Sequence, residues 1–575
     1  MSLVARLAGV GASLYDGIVS ESRVIVKHYH ERTKHDFQRY ARSLGFLDWS
    51  TQPDPFRRFR GTDLAPLLLT RSATGNPLLP HPQPLYDDLY TPNRIPPGPV
   101  AFHRISAFFE FSLAISAWKE YRGERWALRI NPSSGNLHPT EGYLVIGAVD
   151  GINQHPGVYH YAAKEHALEH RCQFGKDIWT QLTAGFPKDT FFAGLSSIHW
   201  REAWKYGERA YRYCQHDVGH ALAALSLSAA CNGWQTVPLD GMSDSAVAAL
   251  LGLDRAQDFV DVEREQPDLL VAVIPHGSST EQSFPHILPE EAIGRIASRR
   301  WFGVANRLSH DHFDWPIIDE VVRACEKPAN HQIAKSANHN FAGDILRRAV
   351  AHQIIFQRRS ALAFDGRTGI TAEQFYLMLD RTLPRFDRSP WSALGPPICT
   401  HLALFVHRVS GLDPGLYFLV RDPAQISGLR EATNPQFAWK KPESSPASLP
   451  LFVLGTGDVR QVASHVSCHQ DIAGDGAFSM GMIVEFDQPL QEFGAWFYRR
   501  LFWETGVIGQ VLYLEAEAAG IRSTGIGCFF DDPVHHLLGL SGTAYQSFYH
   551  FTVGGHVEDK RLTTLPPYPG RSPAK

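Results

Sequence analysis

Apolar and polar positions along the 575 residues fall into blocks of distinct rhythm. Over about the first hundred residues no rhythm holds. Prolines at 77, 80, 82, 84, 92, 96, 97 and 99 exclude long helices there, and the stretch reads as an extended arm laid over something else. From about residue 103 the pattern becomes periodic. "RISAFFEFSLAISAWKEY" has helical spacing, and "YLVIGAV" with "HPGVYHYA" reads as an antiparallel strand pair. A long helix is expected over "YGERAYRYCQHDVGHALAALSLSAACNGW", and the strand "DLLVAVIPHG" closes the unit near residue 277. A polar stretch from about 285 to 345 leads onward.

The pattern then repeats. "AYRYCQHDVGHALAALSLSAACNGW" aligns with "FYRRLFWETGVIGQVLYLEAEAAGI" without a gap at an offset of 287, Tyr211 on Tyr498. Arg212 falls on Arg499, Gly219 on Gly506, Gly233 on Gly520 and Asp244 on Asp531, and "LLGL" at 250–253 meets "LLGL" at 537–540. Earlier, "HPGVYHY" at 155–161 parallels "DPGLYFL" at 413–419. The chain reads as two copies of one α+β unit, an isologous dimer fused into one polypeptide. The expected divisions are an arm (1–100), a first unit (101–300), a linker (301–345) and a second unit (346–575).

One short stretch, "RINPSSGNLHPTEG", Arg129 to Gly142, combines a proline, two serines, a glycine and an asparagine ahead of the apolar run "YLVIGAV". It is either a plain stiff turn or a rigid cradle of hydroxyls and N–H groups for a flat polar ligand.

Composition narrows the classes. Apolar residues at 44% and charged residues at 20% describe a soluble globular protein, and a net charge of −4 gives no reason to expect nucleic acid or an anionic membrane. The start has no clear cleavage site and is read as mature protein, and "GVG" at Gly9 lacks a dinucleotide fingerprint. No apolar run is long enough to span a membrane. Seven cysteines without a C-x-x-C pair favour reduced thiols and the cytoplasm over a disulfide framework. The 28 histidines, including "HVSCHQD" at 465–471, show no paired zinc-ligand spacing, so no metal is expected.

Three segments, "PSSGNLHPTEGYLV" (132–145), "RRSALAFDG" (358–366) and "STGIGCFFDDPVHHLLGL" (523–540), resemble the landmark segments of nitroreductase-like flavoproteins over about residues 100–280 and 346–560. "PSSGNLHP" and "WKYGERAYRY" (204–213) are similar to the SagB and ThcOx type of azoline dehydrogenases, which aromatise heterocycles in ribosomal peptides. The resemblance implies an α+β fold of two nitroreductase-like domains, each a central antiparallel-rich sheet flanked by helices, paired as an intramolecular pseudo-dimer. It implies an FMN-dependent oxidoreductase passing hydride between flavin and a small-molecule or peptide substrate, with azoline dehydrogenation beside peptide-modifying partners as the finer reading. The alternatives are a generic NAD(P)H-dependent nitro or quinone reductase and a non-catalytic flavin-binding partner.

By the same resemblance, Arg358, Arg359 and Ser360 hold the phosphate and ring edge, although Leu362 stands where the family usually has another cation. Gly525, Ile526 and Gly527 bring backbone close to the ring, and Gly506 with Gly509 on the preceding helix reads as helix packing. Arg129, Pro132, Ser133, Ser134 and Asn136 wall the ring from the other domain. Lys205 and Tyr206 match the lysine–tyrosine pair assigned to proton transfer, while Arg209, Arg212 and Asp217 read as a structural ion-pair set. The serine loop survives only in the first unit and R-R-S only in the second, so one composite flavin site is expected. "VPLDGM" at 237–242 leaves a weaker second site open.

Overall fold

The computed structural model describes residues 20–71, 83–275, 284–329 and 347–570. The Gly9 stretch, prolines 77, 80 and 82, and the linker beyond residue 329 lie outside the described residues.

The alternating and apolar runs of the first part form β1 (Leu64–Pro66), β2 (Thr140–Ile146), β3 (Gly157–Ala162), β4 (Ala167–Gln173), β5 (Phe191–Ser197), β6 (Gln235–Pro238) and β7 (Gln266–Ile274). They make one sheet in the order β1-β4-β3-β2-β5-β7-β6. Every neighbouring pair is antiparallel. The expected pairing of "YLVIGAV" with "HPGVYHYA" is present, Tyr143 opposite His160 and Ile146 opposite Gly157. All of β2 is buried, which explains its unbroken apolar run: both faces of this central strand are covered.

The second part forms β8 (Thr400–Val406), β9 (Gly415–Leu419), β10 (Leu451–Thr456), β11 (Phe478–Glu485), β12 (Arg522–Ile526) and β13 (Tyr545–Gly554). Their order, β10-β9-β8-β11-β13-β12, is that of β4-β3-β2-β5-β7-β6 moved six strands along the chain. These pairs are antiparallel too.

The helices that matter are α1 (20–32), α2 (Phe102–Glu110), α3 (His199–Tyr206), α4 (Ala210–Cys231), α5 (Ala351–Gln357) and α6 (Phe497–Ala518). α4 and α6 start 287 residues apart, have 22 residues each, and are buried almost all round, which is why neither shows a clean amphipathic stripe. They pack on each other through glycine. A Cβ on Gly219 would stand 2.2 Å from the Trp503 carbonyl oxygen, and one on Gly506 2.3 Å from the His216 carbonyl oxygen. The packing role read for Gly506 holds, and the contact is reciprocal.

Three expectations are corrected. The pattern "RISAFFEFSLAISAWKEY" is not one helix: α2 stops at Glu110, and Ile115–Tyr121 is a strand between Glu124–Arg129 and the C-terminal Thr563–Leu565. Its β-branched and aromatic residues suit the pleated surface this three-stranded sheet provides. The long helix expected from Tyr206 is broken at Gly207, whose φ of +55° belongs to the left-handed region and separates α3 from α4. The arm is not irregular throughout, because its proline-free part forms α1. There His30 meets the Tyr498 hydroxyl at 3.1 Å and the Gln546 side-chain oxygen at 3.3 Å. The described part of the segment read as a linker contains the helix Pro316–Ala324, whose Ile317, Ile318 and Val321 are buried in one cluster with Trp496 and Phe497.

Candidate functional site

A cavity of about 630 Å³ lies where the two halves meet. That volume is in the range of pockets that take cofactor-sized ligands. Its walls come from the serine loop before β2, from α4, from the segment after α5, from Tyr513 on α6, and from the end of β12. The sheet containing Lys119, Trp126 and Thr564 supplies a further wall. Arg129, Pro132, Ser133, Ser134, Asn136, Tyr206, Arg358, Arg359, Ser360, Gly525, Ile526 and Gly527 all line it. Lys205 does not.

The serine loop is held by its own polar groups. Gly135, Asn136 and His138 have φ of +58°, +61° and +53°, a left-handed run that needs local bonds to offset its strain. The Ser133 hydroxyl accepts the His138 N–H at 2.8 Å. Ser134 donates its N–H and its hydroxyl to Asp217 at 3.0 and 3.1 Å. The Asn136 amide donates to the Ala127 carbonyl at 2.9 Å, and its oxygen meets the His138 ring at 3.0 Å. These bonds fix the shape of the loop that lines the cavity. Asp217 was read with Arg209 and Arg212; instead it anchors this loop, and burial pushes its carboxyl up to about 7 against the bonds from Ser133 and Ser134. Arg209 and Arg212 bind Asp531 of the second half.

Cations gather at one end. Arg358 donates from Nε to the Ile130 carbonyl at 3.0 Å and from Nη2 to the Arg129 carbonyl at 2.9 Å, clamping the strand that leads into the serine loop. Its Nη1 is buried without a hydrogen-bond partner, and burial depresses its pKa. Burial, then Arg358, brings Arg359 down to about 10. Lys119 and Arg522 line the same cavity, while Leu362 is 74% exposed. Neither Lys119 nor Arg522 was among the expected residues. Lys119 was hidden by the helical reading of its strand, whereas Arg522 directly precedes the quoted "STGIG".

Tyrosines also line the cavity. The Tyr513 hydroxyl accepts the Gly525 N–H at 3.0 Å and meets the Ser360 hydroxyl at 3.0 Å. The Gly525 N–H is therefore occupied within the protein. A Cβ on Gly525 would fall 1.9 Å from the Tyr549 hydroxyl, and one on Gly527 2.1 Å from the Tyr213 ring. The turn is glycine because the aromatic wall closes onto it. Tyr206 packs on Tyr213 with ring centroids 4.3 Å apart, and burial, then Glu202, raises its hydroxyl pKa. Lys205 places Nζ 5.2 Å from the Tyr206 ring centre, beside the cavity wall.

At the corresponding place in the other half, Pro238, Asp240, Trp496, Arg500 and Trp503 enclose about 40 Å³. Arg500 lines it and donates to the carbonyls of Pro397 at 3.0 Å and Leu394 at 3.3 Å. The "VPLDGM" turn faces this smaller space.

Residues 124–262 match the Nitroreductase family. A nitroreductase-like protein of Methanocaldococcus jannaschii is 26% identical over 126 residues, 21% of this chain and 62% of that protein. The trifolitoxin-processing protein TfxB of Rhizobium leguminosarum bv. trifolii is 31% identical over 132 residues, 21% of this chain and 35% of that one. The chain thus spans less than two thirds of either curated relative. The crystal structure of a nitroreductase-like protein from Anabaena variabilis superposes with a TM-score of 0.61 at 22% identity, covering 93% of this chain and 99% of that one. Residues 124–262 are thus similar to the Nitroreductase family, and the chain as a whole shares the fold of the Anabaena protein.

Proposed function

We propose that the chain is an FMN-dependent oxidoreductase whose units, about 101–300 and 346–575, form an intramolecular pseudo-dimer around a single composite site. The observation that carries this reading is the meeting of the serine loop and Arg358 in one cavity of about 630 Å³, against about 40 Å³ at the corresponding place.

The residues present suit FMN. Arg358 Nη1 is a buried guanidinium N–H lacking a partner, as a phosphate oxygen requires, and Arg359, Lys119 and Arg522 add positive charge nearby. The stiffened serine loop and the glycine turn offer two walls between which a flat ring fits. When bound, FMN would supply hydride transfer, chemistry that side chains lack. The chain's own part is to hold the cofactor, exclude water through Tyr206, Tyr213 and Tyr549, and move the accompanying proton. We assign that proton transfer to Tyr206, with Lys205 behind its ring and Asp217 across the loop.

The organic substrate reaches the site as a small molecule or a peptide. The relative named for trifolitoxin processing supports a peptide, with azoline-type dehydrogenation beside other modifying enzymes. Among the described residues no helix is long and apolar enough to cross a membrane.

The test is to purify the chain, reconstitute it with FMN, and count flavin by absorbance and native mass spectrometry. One FMN per chain is expected. A preparation that binds none, or binds two, overturns the reading. Turnover of NAD(P)H with nitro or quinone acceptors but not of azoline peptides would select the generic reductase.

A further inference from the structure

Two of the cysteines stand apart from the rest. Cys172, Cys214, Cys231, Cys325 and Cys399 are buried, whereas Cys468 and Cys528 are half-buried. The Sγ atoms of Cys468 and Cys528 are 2.7 Å apart although 60 residues separate them in sequence. Cys528 follows Gly527 in the turn that walls the cavity, and Cys468 lies just beyond the helix Arg460–Val466.

The surroundings hold these two thiols together. Cys468 and His469 have φ of +55° and +56°. Consecutive left-handed residues with side chains cost on the order of 1 kcal/mol each and persist where the surroundings impose them. Gln470 imposes part of this: its side-chain amide donates to the Ser467 carbonyl at 2.8 Å and to the Cys528 carbonyl at 3.0 Å, tying both cysteine segments to one group. On the outer side, Phe37 packs against His469 and Phe530 at 6.1 and 4.8 Å and is 48% exposed, so the pair lies between the cavity and the surface.

We propose that Cys468 and Cys528 are a redox-active dithiol that closes to a disulfide by exchange with a low-molecular-weight disulfide. The electrostatics divide the roles. The hydrogen bond between the two sulfurs, opposed by burial and helped by the Arg209 guanidinium, draws the Cys528 thiol below its ordinary range, and the same bond together with burial pushes Cys468 up. Cys528 is the attacking thiolate and Cys468 the resolving thiol. Cys528 attacks one sulfur of RSSR, forming a mixed disulfide and releasing RS⁻. Cys468 gives its proton to RS⁻ and attacks Cys528 Sγ, releasing a second RS⁻, which takes up the proton Cys528 had lost. Two electrons pass from the protein thiols to RSSR, leaving one protein disulfide and two RSH. This exchange needs no bound flavin, so it stands or falls separately from the proposed function.

The test uses the full chain in glutathione buffers of graded oxidation, quenched by alkylation, with intact mass and peptide mapping. Cys468 and Cys528 should lose their label together and appear as one linked peptide, while the five buried cysteines keep theirs. In Cys468→Ser, glutathione should stay trapped on Cys528. In Cys528→Ser, no protein disulfide should form. Retention of both labels in fully oxidised glutathione overturns the proposal, as does a linkage to another cysteine. The wild-type map decides the pairing even if a variant folds poorly.

Discussion

Arg212 in the first half donates to Asp531 in the second at 2.8 Å, and Arg499, 287 positions after Arg212, donates back to Asp244, 287 positions before Asp531. The same reciprocity governs the loops. Ser134 N–H is held by Asp217, and Cys399 N–H by Glu504 at 2.9 Å, the residue 287 positions after Asp217. The difference lies in what else those carboxylates meet. Glu504 is also bound by the buried Arg421, whereas Asp217 meets the Ser133 and Ser134 groups of the loop while burial raises its pKa. One half has filled its loop region with an ion pair and the other has kept it open to a cavity.

The crossing pairs should carry stability unequally. Asp531 is fully buried and satisfies two arginines, Arg209 and Arg212, while Asp244 serves Arg499 at a partly exposed position. Asp531→Asn should cost roughly 3–5 kcal/mol, the scale for stranding a buried charge, and Asp244→Asn less. Urea denaturation of both variants measures this. Equal losses under 1 kcal/mol would mean that the halves do not depend on these contacts.

Gly506→Ala tests the helix crossing by sign. In a helix interior this change ordinarily stabilises by about 1 kcal/mol. Here the new Cβ would lie 2.3 Å from the His216 carbonyl oxygen, so the helices must part. The melting temperature should fall, whereas Gly520→Ala, whose Cβ meets nothing within 4 Å but whose φ is +77°, should cost only backbone strain. A rise in melting temperature for Gly506→Ala would refute the contact.

How far these features could be read in advance depends on the range of the interactions that make them. The antiparallel strands were legible, as were the serine loop, Arg358 to Ser360 and the glycine turn that line the cavity, because side-chain spacing and short motifs record them directly. The strand Ile115–Tyr121 was not, since its partners Glu124–Arg129 and Thr563–Leu565 include a segment some 440 residues away that no local pattern announces. The internal bonding of the serine loop was hidden for a related reason. Ser133, Ser134 and Asn136 are the right residues in the right place, but their bonds to His138, Asp217 and Ala127 exist only in the fold. The Cys468–Cys528 proximity is likewise invisible in a chain lacking C-x-x-C.

Asp217 should leave a mark on the pH dependence of the flavin-free protein. Its folded pKa is raised to about 7 by burial, so the native state holds a proton that the unfolded chain releases near pH 4. Its contribution is fully present below about pH 4 and is lost as pH rises through about 7, amounting to at most ~4 kcal/mol. Asp217→Asn keeps an acceptor for the Ser134 N–H and removes the titration. The variant should lose less stability than wild type between pH 5 and pH 8 in urea melts. Identical pH profiles would show that Asp217 does not titrate in this window.

Lys205→Ala and Tyr206→Phe separate proton transfer from cofactor binding. Tyr206 lines the cavity and Lys205 stands behind it, whereas the cations proposed for the phosphate come chiefly from the second half. Tyr206→Phe should lower turnover about 100-fold with FMN still bound, and Lys205→Ala should lower it less. Loss of flavin from either variant, or normal turnover in Tyr206→Phe, would remove Tyr206 from this role.

Arg358 has two tasks that one substitution can tell apart. Nε and Nη2 clamp the carbonyls of Ile130 and Arg129, which fixes the serine loop, and Nη1 is left for a ligand. Arg358→Ala should lower the melting temperature of the flavin-free protein because two buried carbonyls lose their donor. It should also weaken FMN by roughly 1.5–3 kcal/mol, the scale of a charge-assisted hydrogen bond, or about ten- to a hundredfold in Kd. Riboflavin, which has the same ring and no phosphate, separates the two effects. If Arg358 holds phosphate, FMN affinity should fall much more than riboflavin affinity. Equal losses for the two ligands would mean that Arg358 only shapes the loop, and unchanged FMN affinity with a lowered melting temperature would take it out of the binding site altogether.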